Sequence, residues 1–244
     1  MKTLIIIPSR LSATRLPGKP LLKINGLSII SHVFKIAMNA KIGEVYVAAE
    51  DQEIVNDVKN NGGQAILTSS NHKTGTDRIF EALEILGKSN IEYVMNLQGD
   101  EPLMNIEDIR NLHKQMIKSK SELGTLASII KDIKFYKEQN IVKVITKESL
   151  ENSQFPEAKN FIRKLSEPSK NTYHHLGIYC YQLQTLKRFV SYKQSPNEIK
   201  SNLEQLRALD NKIKINVALA KTSPVGVDTE EDFVAIKKIM EYKS

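Results

Sequence analysis

Between Pro8 and Leu22 the chain carries Ser9, Arg10, Ser12, Thr14, Arg15, Gly18 and Lys19, three cations and three hydroxyls beside a Pro17-Gly18 turn. Turn amides, hydroxyl donors and fixed positive charge make an anion cradle, and this many cations suit a polyphosphate. The stretch lacks the Gly-x-x-x-x-Gly-Lys-Ser/Thr of a P-loop and the Gly-x-Gly-x-x-Gly of dinucleotide folds, so it would hold a nucleoside triphosphate in another way. A second cluster, Gln98-Gly99-Asp100-Glu101-Pro102, places carboxylates at the exit of an apolar run. Mg²⁺ takes one or two carboxylates plus phosphate oxygens, so Asp100 facing a triphosphate cradle is a suitable ligand. In Gly75-Thr76-Asp77-Arg78, small residues let backbone approach a base and Arg78 can fix an edge; the alternative is an ordinary helix start with Thr76 as N-cap. Asp228 reads equally as a second carboxylate or as an N-cap ahead of Glu230-Glu231-Asp232. His174 and His175 are adjacent, and neighbours on a strand face opposite ways, which argues against a metal pair.

These loops need a rigid frame. Leu4 to Ile7 is a continuous apolar run ending at Pro8, the pattern of a strand buried on both faces. Helical spacing follows at 29–40, a strand at 45–49, a helix at 52–60, a short strand at 65–67, a helix at 77–87 closed by Gly87, a strand at 93–97 and a helix at 106–119. This alternation predicts an α/β fold, a mostly parallel sheet with helices on both faces and a subsidiary lobe. In such sheets ligands bind beyond the carboxyl ends of the strands, where the chemistry-bearing loops fall. The second half is less regular: strands at 124–130, 141–146, 176–183 and 213–220, helices at 184–192, 198–210 and 230–241, and an irregular polar insert at 148–172. No repeat or low-complexity linker separates the halves, so residues 1–244 are expected to form one domain.

With 244 residues, 41% hydrophobic and 26% charged, the chain can bury a sizeable core, which disfavours disorder, collagen and repeat arrays. No run approaches the ~20 apolar residues of a membrane span. The opening Met-Lys-Thr-Leu-Ile-Ile-Ile stops at Pro8 and meets Arg10 and Arg15, which a secretory signal forbids, so a cytoplasmic location and no membrane insertion are expected. A single Cys, Cys180, allows neither an internal disulfide nor a thiolate metal cluster. The net charge of +7 points to nucleic acid, a membrane surface, an anionic small substrate or simply a solvated Lys-rich surface. No recognition helix or aromatic-basic platform favours nucleic acid.

The run Ile-Pro-Ser-Arg-x-x-Ala-Thr-Arg-Leu-Pro-Gly-Lys-Pro-Leu at 7–21 resembles the signature loop of the sugar nucleotidyltransferases, most closely the family of 3-deoxy-manno-octulosonate (Kdo) cytidylyltransferases. Further motifs of that family follow in order: His72 to Arg78, Asn96 to Pro102, His175 to Tyr179, Leu203 to Arg207 and Gly226 to Asp232. The resemblance covers nearly the whole chain. It implies CMP transfer from CTP to the anomeric hydroxyl of Kdo, releasing pyrophosphate and supplying lipopolysaccharide assembly, by a Mg²⁺-dependent homodimer. Residues 1–120 would mainly bind CTP, and 121–244 would bind the sugar and dimerise. Asp100 and Asp228 would share the metal and, with Arg10 and Lys19, carry catalysis. Ser12, Arg15, Thr74, Gly75, Thr76 and Arg78 would join Arg10, Lys19 and Asp100 at the nucleotide. Gln98, Arg163, His175, Tyr179, Glu204 and Gln205 would meet the sugar acid, with Arg163 on its carboxylate. The chain departs from the family at Glu50, where Thr is usual, at Thr74, where Ser is common, and at Ile162, where Ser is expected, within a shortened 148–172 segment. The rivals are a relative acting on another sugar acid or sugar phosphate, a basic nucleic-acid-binding protein, and an inactive homologue, against which intact Arg10, Lys19, Asp100 and Asp228 argue.

Overall fold

Leu4, Ile5, Ile6 and Ile7 are fully buried, which a strand achieves only when both its faces are covered. In the computed structural model, which describes residues 2–12, 15–224 and 226–242, they form the centre of β1 (Lys2–Ser9). The chain divides into two compact units, one of Met1–Ile106 with Pro224–Ser244 and the other of Glu107–Ser223. The C-terminal segment from Pro224 thus belongs with the first unit.

In the first unit β1 is flanked by β4 (Glu44–Ala49) and β6 (Ile91–Asn96), and β5 (Ala65–Leu67) lies outside β4, all parallel. The chain runs outward from β1 through β4 to β5 and then returns to the other side of β1 at β6. Connections consequently diverge at the carboxyl ends of β1 and β6, the switch point at which open α/β sheets leave a crevice. Both chemistry-bearing loops start there. The connecting helices are α1 (Ile29–Ala40), α2 (Gln52–Asn60) and α3 (Gly75–Leu86). Two details fix the loops. Gly18 is left-handed (φ 70°) and opens a single 3₁₀ turn, Lys19–Leu21, that sets Lys19 in place. A Cβ on Gly99 would lie 2.9 Å from the Pro8 carbonyl oxygen, so only glycine lets the 98–100 backbone approach β1 this closely. After a two-residue hairpin, β2 (Lys23–Ile24) and β3 (Leu27–Ser28), α1 presents Ile29 to a cluster with Ile24, Val227 and Ile236. Ile236 lies on α8 (Glu230–Tyr242), and Leu16, Leu22, Leu103, Phe233 and Met240 complete the cluster. This apolar contact brings residue 228 to the first unit from more than a hundred positions away.

The second unit has the strand order β11-β7-β10-β8-β9, with β11 (Ile215–Leu219) parallel to β7 (Leu123–Ser128) and the other pairs antiparallel. Its remaining strands are β8 (Lys143–Thr146), β9 (Ala158–Ile162) and β10 (Thr172–Gln182), and its helices α4 (Ile106–Ser119, starting at the junction), α5 (Leu183–Ser191), α6 (Pro196–Ser201) and α7 (Leu206–Asp210). Two expectations need correction. The 148–172 insert contains β9, whose only well-buried positions are Ala158 and Phe161, too few apolar residues to announce a strand. The single helix expected at 198–210 is two, because Ser195 and Glu198 form a capping box, Pro196 fills the first turn, and Asn202 turns left-handed (φ 50°) to stop α6. Among the described residues no helix is long and apolar enough to cross a membrane.

Candidate active site

At the switch point of the first unit lies a cavity of about 320 Å³ lined by residues of three loops: 8–20 after β1, 72–78 before and into α3, and 98–100 after β6, with Asp228. Arg10, Arg15, Lys19, Thr74, Gly75, Arg78, Gln98, Asp100 and Asp228 all line it, so nine expected site residues from four motifs meet in one place. Lys19 is the hinge of the arrangement. Its Nζ lies 2.6 Å from Asp100 Oδ2 and 3.3 Å from Asp228 Oδ1, and Arg15 Nη2 lies 3.0 Å from Asp228 Oδ2. The Asp228 carboxylate is not the helix cap. Asp232 accepts the N–H groups of Asp228 and Thr229, and Thr229 Oγ1 accepts that of Asp232, so α8 is capped without it.

Two further polar groups mark the site as built for a ligand. Ser9 Oγ, at the cavity wall, and Glu101 Oε2 are buried with no hydrogen-bond partner among the described residues. Burial pushes the Glu101 carboxyl up to about 8, with Asp100 and Asp228 adding to the effect and Lys19 opposing it, so Glu101 is mostly neutral at pH 7. The donor set also fits Mg²⁺. Asp100 and Asp228 share one cation, the Lys19 ammonium, and no cluster of three protein ligands occurs among the described residues. A divalent ion there would need further oxygens, and phosphates supply them.

Ser12 and Thr76, expected at the nucleotide, do not line the cavity. Ser12 Oγ donates to Glu50 Oε1 (2.9 Å), and Thr76 is buried behind the wall, 3.5 Å from Asn96 Nδ2. The helix cap is Thr74, whose Oγ1 accepts from Asp77 N–H, and not Thr76. Arg78 reaches the cavity but is almost fully buried. Its guanidinium pairs with Glu50 and donates to Thr68 Oγ1 (2.8 Å) and the Ser69 carbonyl (3.1 Å). Glu50, the departure from the family pattern, thus ties β4 to Arg78 and Ser12, while Asp51 accepts Leu11 N–H at 2.8 Å.

In the second unit the expected sugar residues are more enclosed. His175 is buried between Phe161 (centroids 4.9 Å apart, edge-on) and Tyr179 (5.5 Å). Thr125 Oγ1 donates to the Ile178 carbonyl (2.7 Å), which leaves it to accept from His175 Nε2 at 3.0 Å. Burial, then the neighbouring His174, pushes the His175 imidazole down to about 3. Arg163 is engaged with backbone. Its Nε and Nη2 donate to the carbonyls of Ser201 and Asn202, both at 2.7 Å, and Nη1 to that of Gln139 at 3.2 Å. Three donors of the guanidinium therefore hold backbone, where a carboxylate partner was expected. Glu204 and Gln205 sit in the link between α6 and α7, which Arg163 clamps from one side, and Gln205 is buried.

The cytidylyltransferase family model matches residues 4–215. A 3-deoxy-manno-octulosonate cytidylyltransferase of Afipia carboxidovorans is 40% identical over 98% of this chain and 96% of its own length, and one of Thermodesulfovibrio yellowstonii is 40% identical with 98% of each covered. The chain belongs to the cytidylyltransferase family. This cytidylyltransferase is also similar to the solved structure of a CMP:2-keto-3-deoxy-manno-octonic acid synthetase complexed with CTP, with a TM-score of 0.88, 32% identity and full coverage of both chains. UDP-glucose pyrophosphorylase complexed with UDP-glucose, at 15% identity and a TM-score of 0.70, shares the fold.

Two cavity residues of the cytidylyltransferase, His72 and Lys73, escape a reading based on single residue types. Their signal is position: both precede the Thr74 cap, and His72 Nε2 pairs with Glu81 one helical face further on. The neutral His175 has its own consequence. An unfolded His titrates near 6.5, so between about pH 6.5 and 3 the unfolded chain binds a proton that the folded chain refuses, and stability falls as pH falls. At pH 5 the loss is about 2 kcal/mol. Urea unfolding at pH 7 and pH 5 should show wild type losing that much more than His175→Gln; equal losses would place the imidazole in a titrating, hydrated environment.

Proposed function

We propose that this chain transfers CMP from CTP to the anomeric hydroxyl of Kdo, giving CMP-Kdo and pyrophosphate. The observation that carries this is the convergence of Lys19, Arg15, Asp100 and Asp228 in one cavity at the sheet's switch point. The names of full-length relatives and the CTP complex of the similar structure support CTP and Kdo as substrates.

In the reaction the anomeric oxygen bonds to the α-phosphorus while the bond from that phosphorus to the β-phosphate oxygen breaks, and the hydroxyl proton leaves to solvent. Such transfer asks for in-line positioning and charge neutralisation and needs no protein nucleophile. Arg10, Arg15 and Lys19 hold the triphosphate and take up the charge that builds on the departing pyrophosphate. Thr74 and Gly75 open the twelve-residue α3, so its partially positive end and the small Gly75 face the nucleotide. Arg78, fixed by Glu50, gives that wall a rigid donor edge. Asp100 and Asp228 would hold Mg²⁺, which when bound polarises the phosphoryl oxygens. Gln98 borders Asp100 in the same cavity. Recognition of the sugar acid is assigned to Glu204, Gln205, His175 and Tyr179, with Arg163 positioning the α6–α7 link. A homodimer in the cytoplasm, feeding lipopolysaccharide assembly, follows from the family resemblance.

The commitment of Arg163 to backbone carbonyls favours one second reading, transfer to a different sugar acid. Pyrophosphate release with CTP, UTP or ATP against Kdo or sialic acid separates the two. CTP with Kdo should exceed every other pair by at least about a hundredfold. Turnover of CTP with sialic acid alone would establish the second reading, and no turnover of CTP with Kdo would end the first.

A further inference from the structure

The two carboxylates assigned to the metal and two of the three cations assigned to the triphosphate neutralise one another. Lys19 bridges Asp100 and Asp228, and Arg15 takes the other oxygen of Asp228. Lys19 is mostly buried in this position, with its side chain 13% exposed, whereas Asp100 and Asp228 keep 29% and 42% of theirs exposed and open to a ligand. Arg10 lines the same cavity and forms no ion pair among the described residues. A polyanion gains the full charge of Lys19 and Arg15 by drawing them off the carboxylates, and a divalent cation gains Asp100 Oδ2 and Asp228 Oδ1 by displacing Lys19. Each ligand therefore meets a competitor that the other would remove.

We propose that Lys19, aided by Arg15, is an internal counter-ion that couples nucleotide and divalent-metal binding: it occupies the carboxylates until a triphosphate claims it. Resting on the nucleotide reading above, this adds a second duty to a phosphate-binding residue. Binding of the triphosphate frees Asp100 and Asp228 at the moment when phosphate oxygens arrive to complete a metal's shell. The coupling is reciprocal by linkage, and a typical value is about tenfold in affinity. It also disfavours a tightly held metal in the absence of nucleotide, since the ammonium and the metal compete for the same oxygens.

The test is calorimetric titration of Mn²⁺ into nucleotide-free protein. Lys19→Met keeps the aliphatic stem and removes the competitor, so it should bind Mn²⁺ about tenfold more tightly than wild type. Arg10→Met removes a cation from the same cavity without freeing a carboxylate, and its Mn²⁺ affinity should stay within about twofold of wild type. Equal gains in the two variants would reduce the effect to the general field of the cavity and overturn the exchange, as would an unchanged Lys19→Met. A second arm guards against misfolding. In EDTA, Asp228→Asn, whose α8 cap is intact, should bind CTP several-fold more tightly than wild type; unchanged affinity there also counts against the exchange. Wild type titrated with CTP and Mg²⁺ separates the two claims: no binding would remove the nucleotide reading itself, whereas binding with unchanged variants removes the exchange alone.

Discussion

Asp100→Asn and Asp228→Asn are each expected to lower turnover by about a thousandfold or more, roughly 4 kcal/mol of transition-state stabilisation, with the fold intact. Neither carboxylate supports the scaffold. Asp100 contributes to the chain's architecture through its backbone carbonyl, which accepts Val227 N–H at 2.9 Å, and α8 is capped by Thr229 and Asp232. Asparagine keeps the shape and can still accept a hydrogen bond from Lys19, so what is lost is the negative charge a divalent cation requires. Pyrophosphate release measures the rate and a thermal melt the fold. Activity within tenfold of wild type would mean that these carboxylates do not serve the chemistry. A nucleic-acid-binding chain, by contrast, would gain slightly in duplex affinity on losing either charge.

Glu198→Gln is expected to be the most destabilising single change in the second unit, by about 3–5 kcal/mol. Glu198 receives Arg207 in a two-point bond, Nη2 to Oε1 at 2.7 Å and Nε to Oε2 at 2.9 Å, with both side chains at most 3% exposed. Burial raises the Glu198 carboxyl, and Arg207 outweighs it, holding the group below the ordinary carboxylate range. The same carboxylate closes the capping box with Ser195 N–H at 3.0 Å, and the guanidinium lies over Phe189 at 4.6 Å. Removing one charge strands the other in a place where water cannot reach it. Urea unfolding should show the loss in full, and the double variant Glu198→Leu with Arg207→Met should recover much of it. A loss below about 1 kcal/mol would show that the pair is effectively solvated.

The first unit was legible in the sequence because its physics is local. Leu4 to Ile7 has no polar residue to admit water, so it reads as a doubly covered strand, and the helices at 29–40 and 52–60 lie where their periodicity put them. Asp228 was ambiguous for a physical reason: a carboxylate before an acidic helix start caps or ligates with equal propriety. Only the Thr229–Asp232 exchange, a matter of three-dimensional geometry, frees it. The type and position of Arg163 fit a carboxylate partner, whereas the backbone carbonyls it meets, Ser201 and Asn202, lie beside a left-handed Asn202 that periodicity does not reveal. Glu50 shows the converse. As a departure from the family it carried only the loss of a threonine, yet it anchors both Arg78 and Ser12.

The central claim is that this cavity passes CMP from CTP to a sugar acid. Phosphorus NMR of the protein with CTP, Kdo and Mg²⁺ tests it most directly. A phosphodiester resonance of CMP-Kdo should rise in step with one equivalent of pyrophosphate and vanish in Asp100→Asn. Pyrophosphate accompanied by free CMP at every time point, with no diester, would mean hydrolysis rather than transfer and would contradict the account.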